Sequence, residues 1–119
     1  MSTVAQQMSR EVLTVSPEST LSIAAQTMME RSAGSAAVIA DGELVGIITE
    51  RDVLRSVALG LVPWTTPVSE CMTARPVTVH PEMPREEAMT MMLSRGFRHL
   101  PVKDGERLVG LVSLRDLLR

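Results

Sequence analysis

The sequence predicts a mixed α/β (α+β) fold of two β-α-β-β-α repeats, packed through their sheets with pseudo-twofold symmetry. Shifting the chain by 64 positions aligns residues 4–55 with residues 68–119 without a gap, and 17 of the 52 pairs are identical. Both copies run through the same order of β-type and helical periodicities, and an Asp-Gly turn signal lies between two apolar runs in each copy. A single small repeat leaves one sheet face uncovered, so two copies are expected to cover each other.

The repeats define the organisation of the chain. Repeat 1 spans residues 1–55, a linker spans 56–67, and repeat 2 spans 68–119. The linker contains the residues that interrupt regular structure, Gly60, Pro63 and Pro67. Trp64 within it is interpreted either as an anchor packed on the core or as a docking residue for a partner.

Each copy opens with a short β-rich run, at Val12–Val15 and at Val77–Val79. An amphipathic helix follows, with Ser19 as the expected N-cap in repeat 1 and Pro84 in the first turn in repeat 2. Its apolar stripe comprises Leu21, Ala24, Ala25, Met28 and Met29 in repeat 1 and Ala88, Met89, Met92 and Leu93 in repeat 2. The periodicity does not tell which of these side chains belong to the core and which to an interface.

Two strands and a second helix complete each copy. The strands of repeat 1 flank Asp41-Gly42 and those of repeat 2 flank Asp104-Gly105, which predicts hairpins. The predicted strands are Ala36–Ala40, Leu44–Ile48, Leu100–Val102 and Leu108–Val112. The second helices are expected to begin near Glu50 and Leu114.

Composition limits the possible functions. A net charge of −2 makes nucleic acid an unexpected partner, and no apolar run approaches the ~20 residues that span a bilayer. The polar N-terminus predicts a cytoplasmic location. The single cysteine, Cys71, has no neighbouring base or metal-ligand pattern, and no catalytic constellation is evident, so we expect neither an enzyme nor a metal or catalytic cofactor.

One motif with recognisable chemistry occurs in both copies: Gly, an apolar residue, any residue, Thr or Ser, two residues, Asp. It runs from Gly46 through Thr49 to Asp52, and again at Gly110, Ser113 and Asp116. The glycine allows a ligand to approach the backbone, the hydroxyl opens a helix whose N–H groups suit a phosphate, and the aspartate lies one turn further on. The alternative is purely structural, with the hydroxyl as an N-cap and the carboxylate favouring the helix dipole.

These segments closely resemble a tandem pair of CBS (cystathionine-β-synthase) domains, also called a Bateman module, over nearly the whole chain. The matching segments are Thr14–Pro17, Leu44–Asp52, Thr78–Pro81, Arg98–Val102 and Leu108–Asp116. The resemblance implies a regulatory module that senses an adenine nucleotide, AMP, ADP or ATP, or a related adenosyl ligand such as S-adenosylmethionine. It also implies a homodimer that acts on a separate, unidentified effector protein. The alternative is a dimerisation module whose clefts bind nothing.

The resemblance further implies the binding residues. The motif supplies the contacts to ribose and phosphate, and the first strand lines the base through Thr14, Val15, Thr78 and Val79. The segment before the second strand contributes Arg98, His99 and Pro101. The resemblance pairs Asp52 of one repeat with Arg98 of the other, and Asp116 with the uncharged Gly34 and Ser35. We therefore expect the Asp52 cleft to bind a phosphorylated ligand more tightly, because a guanidinium holds phosphate well.

Overall fold

The computed structural model describes residues 2–119, which form two compact units. The first unit is Leu13–Pro76. The second unit combines Val77–Arg119 with the residues up to Val12. The beginning of each sequence repeat therefore belongs to the unit that is otherwise built from the other repeat.

The predicted β-α-β-β-α order is confirmed in both copies. In chain order the elements are α1 Val4–Gln7, β1 Thr14–Val15, α2 Leu21–Arg31, β2 Ser35–Ala40, β3 Glu43–Thr49, α3 Glu50–Ala58, a short 3-10 helix Val68–Glu70, β4 Thr73–Ala74, α4 Arg85–Arg95, β5 His99–Asp104, β6 Arg107–Ser113 and α5 Leu114–Leu117. Within residues 2–119, no helix is long and apolar enough to cross a bilayer.

The start of α2 differs from the prediction by one residue. The N-cap is Thr20, whose hydroxyl accepts the N–H of Ile23 at 3.2 Å, so the prediction of Ser19 was wrong. The Ser19 hydroxyl instead bonds to that of Ser16 at 2.9 Å. Pro84 likewise lies at the N-cap of α4, just before the first turn.

The first unit contains a four-stranded sheet in the order β1-β2-β3-β4. β1 runs parallel to β2, whereas the pairs β2–β3 and β3–β4 are antiparallel. Asp41 and Gly42 join β2 to β3 with positive φ at both positions, 52° and 78°, as a tight hairpin turn requires.

The second unit repeats this arrangement with fewer regular strands. β5 and β6 form its antiparallel hairpin. Val79 makes a parallel bridge to Val102 in place of a strand, which shortens the predicted Val77–Val79 strand to a single bridge. The turn shifts by one residue, because β5 includes Asp104 and Gly105 takes the positive φ of 64°.

The exchanged segments complete the opposite sheets. β4 comes from the start of repeat 2 and pairs with β3 of the first unit, and Ser9 from repeat 1 bridges Leu111 of the second unit. Each segment also supplies a fully buried valine, Val68 to the first unit and Val4 to the second. Folding of either unit therefore needs residues from both sequence repeats.

Each unit has its own apolar core, built from α-helical and strand side chains. The first core contains Leu13, Leu21, Ala24, Met28, Ala36, Val38, Ile48 and Val68. The second contains Val4, Val79, Ala88, Met92, Leu100, Val102, Val112 and Leu117. The packing thus separates core residues from surface residues within each predicted helical stripe. Met29 and Leu93 are 80% and 69% exposed and belong to neither core. Trp64 is 71% exposed, which contradicts its interpretation as an anchor on the core.

The glycines of the repeated motif lie where the exchanged segments cross the sheets. A Cβ on Gly46 would collide with the thioether of Met72 and lie 3.0 Å from the carbonyl oxygen of Thr73. A Cβ on Gly110 would meet Met8 at 2.5 Å and the carbonyl oxygen of Ser9 at 2.9 Å. The absence of a side chain lets the crossing segment form its backbone hydrogen bonds.

We predict that Gly46→Ala destabilises the protein by about 1–3 kcal/mol, because the added methyl group overpacks the crossing point. Urea unfolding measures the change. The double variant with Met72→Ala should lose less stability than the sum of the two single variants. Strict additivity of the two changes would show that Met72 is not what excludes a side chain at position 46.

Candidate ligand-binding site

The motif of the first unit forms a reciprocal cap between β3 and α3. Thr49 has an extended backbone, and its hydroxyl accepts the N–H of Asp52 at 3.2 Å. In return, Oδ2 of Asp52 accepts the N–H of Thr49 at 2.9 Å. This capping box fixes the carboxylate beside the end of the central strand β3.

The motif of the second unit has the same geometry between β6 and α5. The Ser113 hydroxyl accepts the N–H of Asp116 at 3.0 Å, and Oδ2 of Asp116 accepts the N–H of Ser113 at 2.9 Å. Both copies therefore form the helix cap that the sequence analysis gave as the alternative to ligand binding. The cap uses Oδ2 of each carboxylate and does not involve Oδ1.

The caps change the role expected for the helix N-termini. Three of the first four N–H groups of α3 are already bonded: those of Thr49 and Asp52 in the cap, and that of Glu50 to the carbonyl oxygen of Gly34 at 3.0 Å. The predicted phosphate contact through the N–H groups at the start of α3 stays a prediction, and a phosphate there would have to compete with the cap for these donors. Each hydroxyl still has its own proton to donate.

The two carboxylates are buried to different extents. The Asp52 side chain is 9% exposed, and the carbonyl oxygen of the same residue also accepts the hydroxyl of Ser56 at 2.8 Å. The Asp116 side chain is 18% exposed. A buried carboxylate stabilises a protein only when donors surround it, so both positions are suited to accept hydrogen bonds.

The motif glycines have a packing role that the sequence analysis did not identify. Gly46 and Gly110 are buried beneath Met72 and Met8, so the close approach they allow is to the exchanged segments of the chain. Packing of the protein on itself accounts for both glycines without a ligand.

The base-lining residues predicted on the first strand lie at equivalent places in the two units. Thr14 and Thr78 are exposed, whereas Val15 is half-buried and Val79 is buried. Val15 pairs with Val38 in β2, and Val79 pairs with Val102 in β5. The exposed threonines are therefore the ones available to a ligand.

Arg98, His99 and Pro101 all lie in the second unit. His99 pairs with Ser113 across the β5–β6 ladder, and the carbonyl oxygen of Arg98 accepts the N–H of Leu114 at 2.8 Å. The exposed side chain of Arg98 thus starts close to the Ser113 cap, whereas buried Pro101 bonds to Val79 through its carbonyl oxygen. The pairing of Arg98 with Asp52 joins the two units and stays a prediction.

A groove that the sequence analysis missed lies on the outer face of the first unit, between α2 and α3. Its volume is about 620 Å³, and most of its lining is apolar. It is lined by Leu21, Ser22, Ala25, Gln26, Met29, Glu30, Val53, Val57 and Pro63. Neither Thr49 nor Asp52 lines it, so it is distinct from the caps. Helical periodicity predicted the apolar stripe of α2, but it could not predict that α3 would lie beside this stripe and form a groove.

Metal chemistry receives no support from this architecture. In the part of the chain from residue 2 to residue 119, no three His, Cys, Asp or Glu side chains lie close enough together to hold a metal ion. Cys71 is a free, half-buried thiol packed against the first core.

Two features decide the family: a capped Thr/Ser–Asp motif in both repeats, and a CBS domain match over residues 2–59 and again over residues 68–119. The chain belongs to the CBS domain family. It is 41% identical over 118 residues to the CBS domain-containing protein YhcV of Bacillus subtilis, a match that covers 98% of this chain and 84% of YhcV.

Solved structures agree with this assignment. A CBS-domain containing protein from Agrobacterium tumefaciens has a TM-score of 0.91 and 33% identity, over 98% of this chain and 97% of that protein. The CBS domain pair of protein MJ0100, solved with 5′-methylthioadenosine and S-adenosyl-L-methionine, has a TM-score of 0.90 and 25% identity, over 100% and 94% of the two chains. CBS domain pairs are generally regulatory ligand-binding modules.

The burial difference between the two carboxylates predicts unequal costs of removing them. Asp52→Ala should destabilise the protein by about 2–3 kcal/mol and Asp116→Ala by about 1 kcal/mol, because the first change breaks more charge-assisted hydrogen bonds in a drier place. Thermal or urea unfolding measures both. Equal losses would show that burial of the cap contributes nothing to its strength.

Proposed function

We propose that this CBS-domain protein is a regulatory module that binds an adenosyl ligand, an adenine nucleotide such as AMP or ATP, through Asp52 and Asp116. The observation that carries the proposal is the pair of capped carboxylates. Each is mostly buried, held in one orientation, and uses Oδ2 for the cap. An ionised carboxylate has about four acceptor positions, so each retains the capacity to accept the two hydroxyls of a ribose.

Two further observations support an adenosyl ligand over a ligand recognised by its phosphate alone. The caps already use the N–H donors that a phosphate would need at the start of α3. The MJ0100 pair was solved with two adenosyl compounds, neither of which carries a phosphate. The adenosine part is therefore the proposed common determinant, with Thr14, Thr78 and their neighbouring valines beside the base.

Arg98 is proposed to hold the phosphate of a nucleotide. It is exposed, it lies directly before β5, and its counterpart in repeat 1 is Gly34, which has no charge. A guanidinium binds phosphate through paired N–H donors. A nucleotide should therefore bind more tightly than adenosine at whichever carboxylate Arg98 serves.

Regulation requires a partner and two states. Binding shifts a population only if the ligand prefers one arrangement of the protein over another. We propose that ligand occupancy changes how this module engages a separate effector protein, whose identity the chemistry of the site does not specify.

Self-association is proposed through the helical faces. Both units present exposed apolar side chains at equivalent repeat positions, Met29 and Leu54 in the first unit and Leu93 and Leu118 in the second, each 65% exposed or more. Val57, 53% exposed, and the adjoining groove extend the apolar face of the first unit, and we propose that such faces pair between two copies of the chain. If the caps bind nothing, this surface would make dimerisation the whole function.

Calorimetric titration of nucleotide-free protein with adenosine, AMP, ATP and S-adenosylmethionine tests the proposed ligand. We expect saturable binding, weakened about tenfold or more at one site by Asp52→Asn and at the other by Asp116→Asn, because each amide loses a charged acceptor. Arg98→Ala should weaken AMP and leave adenosine unchanged.

Asp41→Asn is the matched control, since this exposed turn residue has a positive φ that asparagine tolerates. It should bind like the wild type. The absence of binding by all four compounds at millimolar concentration would contradict the proposed function and favour the dimerisation module.

Light scattering after gel filtration tests the homodimer. The wild type should elute with twice the 13.0 kDa mass of one chain, and Met29→Glu with Leu93→Glu should elute as a monomer, because a charge in each apolar face costs desolvation energy. Glu106→Gln, in the exposed β5–β6 turn, is the control and should stay dimeric. A wild-type monomer at high concentration would refute the interface.

A further inference from the structure

The Oδ1 atoms of the two motif carboxylates differ in their surroundings. In the first unit, Oδ1 of Asp52 accepts a hydrogen bond from Nη1 of Arg55 at 3.0 Å. In the second unit, the equivalent Nη1 of Arg119 lies 3.7 Å from Oδ1 of Asp116, beyond hydrogen-bond distance. One carboxylate therefore has both oxygens hydrogen-bonded, whereas the other has only a longer-range ion pair at Oδ1.

The bond to Asp52 joins a buried acceptor to an exposed donor. The Asp52 side chain is 9% exposed, whereas the Arg55 side chain is 59% exposed on the outer surface of α3. An arginine that is mostly in water forms only a weak ion pair, because water and side-chain freedom compete with it. Arg55 can therefore leave Asp52 without unfolding anything, provided that another donor takes its place.

A ribose supplies such donors. Its two adjacent hydroxyls need a carboxylate oxygen that the cap does not use, and on Asp52 this is Oδ1, the oxygen that Arg55 contacts. When Arg55 is displaced, its guanidinium returns to water at little cost. When the ligand leaves, Arg55 again supplies the donor that a buried carboxylate requires.

We propose that Arg55 is an intramolecular placeholder for the ribose hydroxyls, which lowers the affinity of the Asp52 site and lets the Asp116 site fill first with an unphosphorylated ligand. This inference rests on the proposed adenosyl binding. Arg55 is then a positioning residue that sets the order in which ligand fills the two sites. The position of its guanidinium also reports whether ligand occupies the first unit.

The test uses the whole chain and isolates the Asp52 site with Asp116→Asn. The ligand is adenosine, because an uncharged ligand is neither attracted nor repelled by the charge of arginine. Adding Arg55→Met, which keeps an unbranched stem, should tighten adenosine binding about two- to fivefold, the range expected from removing a weak competing ion pair. Arg55→Gln should behave alike and guards against a folding defect specific to methionine.

Two matched controls remove a positive charge without touching the Asp52 carboxylate. Arg51→Met lies on the same helix and is exposed, and it should leave adenosine affinity unchanged. In an Asp52→Asn background, Arg119→Met should also leave the affinity of the Asp116 site unchanged, since Arg119 makes no hydrogen bond to that carboxylate.

The outcomes separate the two proposals. If the Asp116→Asn protein binds adenosine and Arg55→Met leaves the affinity unchanged or weaker, the placeholder is refuted and the ligand site stands. Tightening by Arg51→Met to the same extent would also refute it, because general charge would then explain the effect. If neither the wild type nor any variant binds adenosine, AMP or S-adenosylmethionine, the proposed function fails and the placeholder fails with it.

Discussion

The reciprocal cap between a strand end and the first turn of the next helix is the interaction on which the candidate site depends. Thr49 and Asp52 satisfy each other's backbone N–H groups, and Ser113 and Asp116 do the same in the second unit. Without the cap, the Asp52 side chain, which is 9% exposed, would have no fixed orientation and few donors. With it, the same residue stabilises the helix and presents an acceptor. The atoms of the cap are thus the same ones to which we assign the proposed binding role.

The exchange of segments places residues of each repeat against the strand that ends in the other repeat's cap. β3 ends in one cap, and it is covered at Gly46 by Met72 from the start of repeat 2. β6 ends in the other cap, and it is covered at Gly110 by Met8 from the start of repeat 1. A change in either crossing segment therefore acts on the strand that carries the motif of the other repeat.

Much of this could be predicted from the sequence because it depends on local patterns. The hairpin at Asp41-Gly42, the helices from Glu50 and Leu114, and the family followed from spacing and a gapless repeat. The N-cap at Thr20 instead of Ser19 was missed because adjacent hydroxyl residues have similar capping ability, and tertiary contacts select between them. The role of the glycines was missed because the segments that cross them are distant in sequence.

The apolar helical faces show the same limit. Periodicity placed Met28 and Met29 in one stripe, but only the packed structure separates buried Met28 from Met29, which is 80% exposed. Likewise, an Asp followed three residues later by Arg occurs in both repeats, yet only Arg55 reaches hydrogen-bond distance. A difference of less than an ångström between equivalent residues is not encoded in a repeat pattern, and here it distinguishes the surroundings of the two Oδ1 atoms.

The most direct measurement of the central claim is a titration of isotopically labelled protein with adenosine, followed by amide NMR shifts. We predict that the largest shifts occur at Thr49–Asp52 and Ser113–Asp116, because amides of these residues take part in the caps. Thr14 and Thr78 should shift as well. Shifts confined to the groove between α2 and α3, at residues such as Ala25 and Val57, would contradict this prediction and place the ligand on the helical face instead.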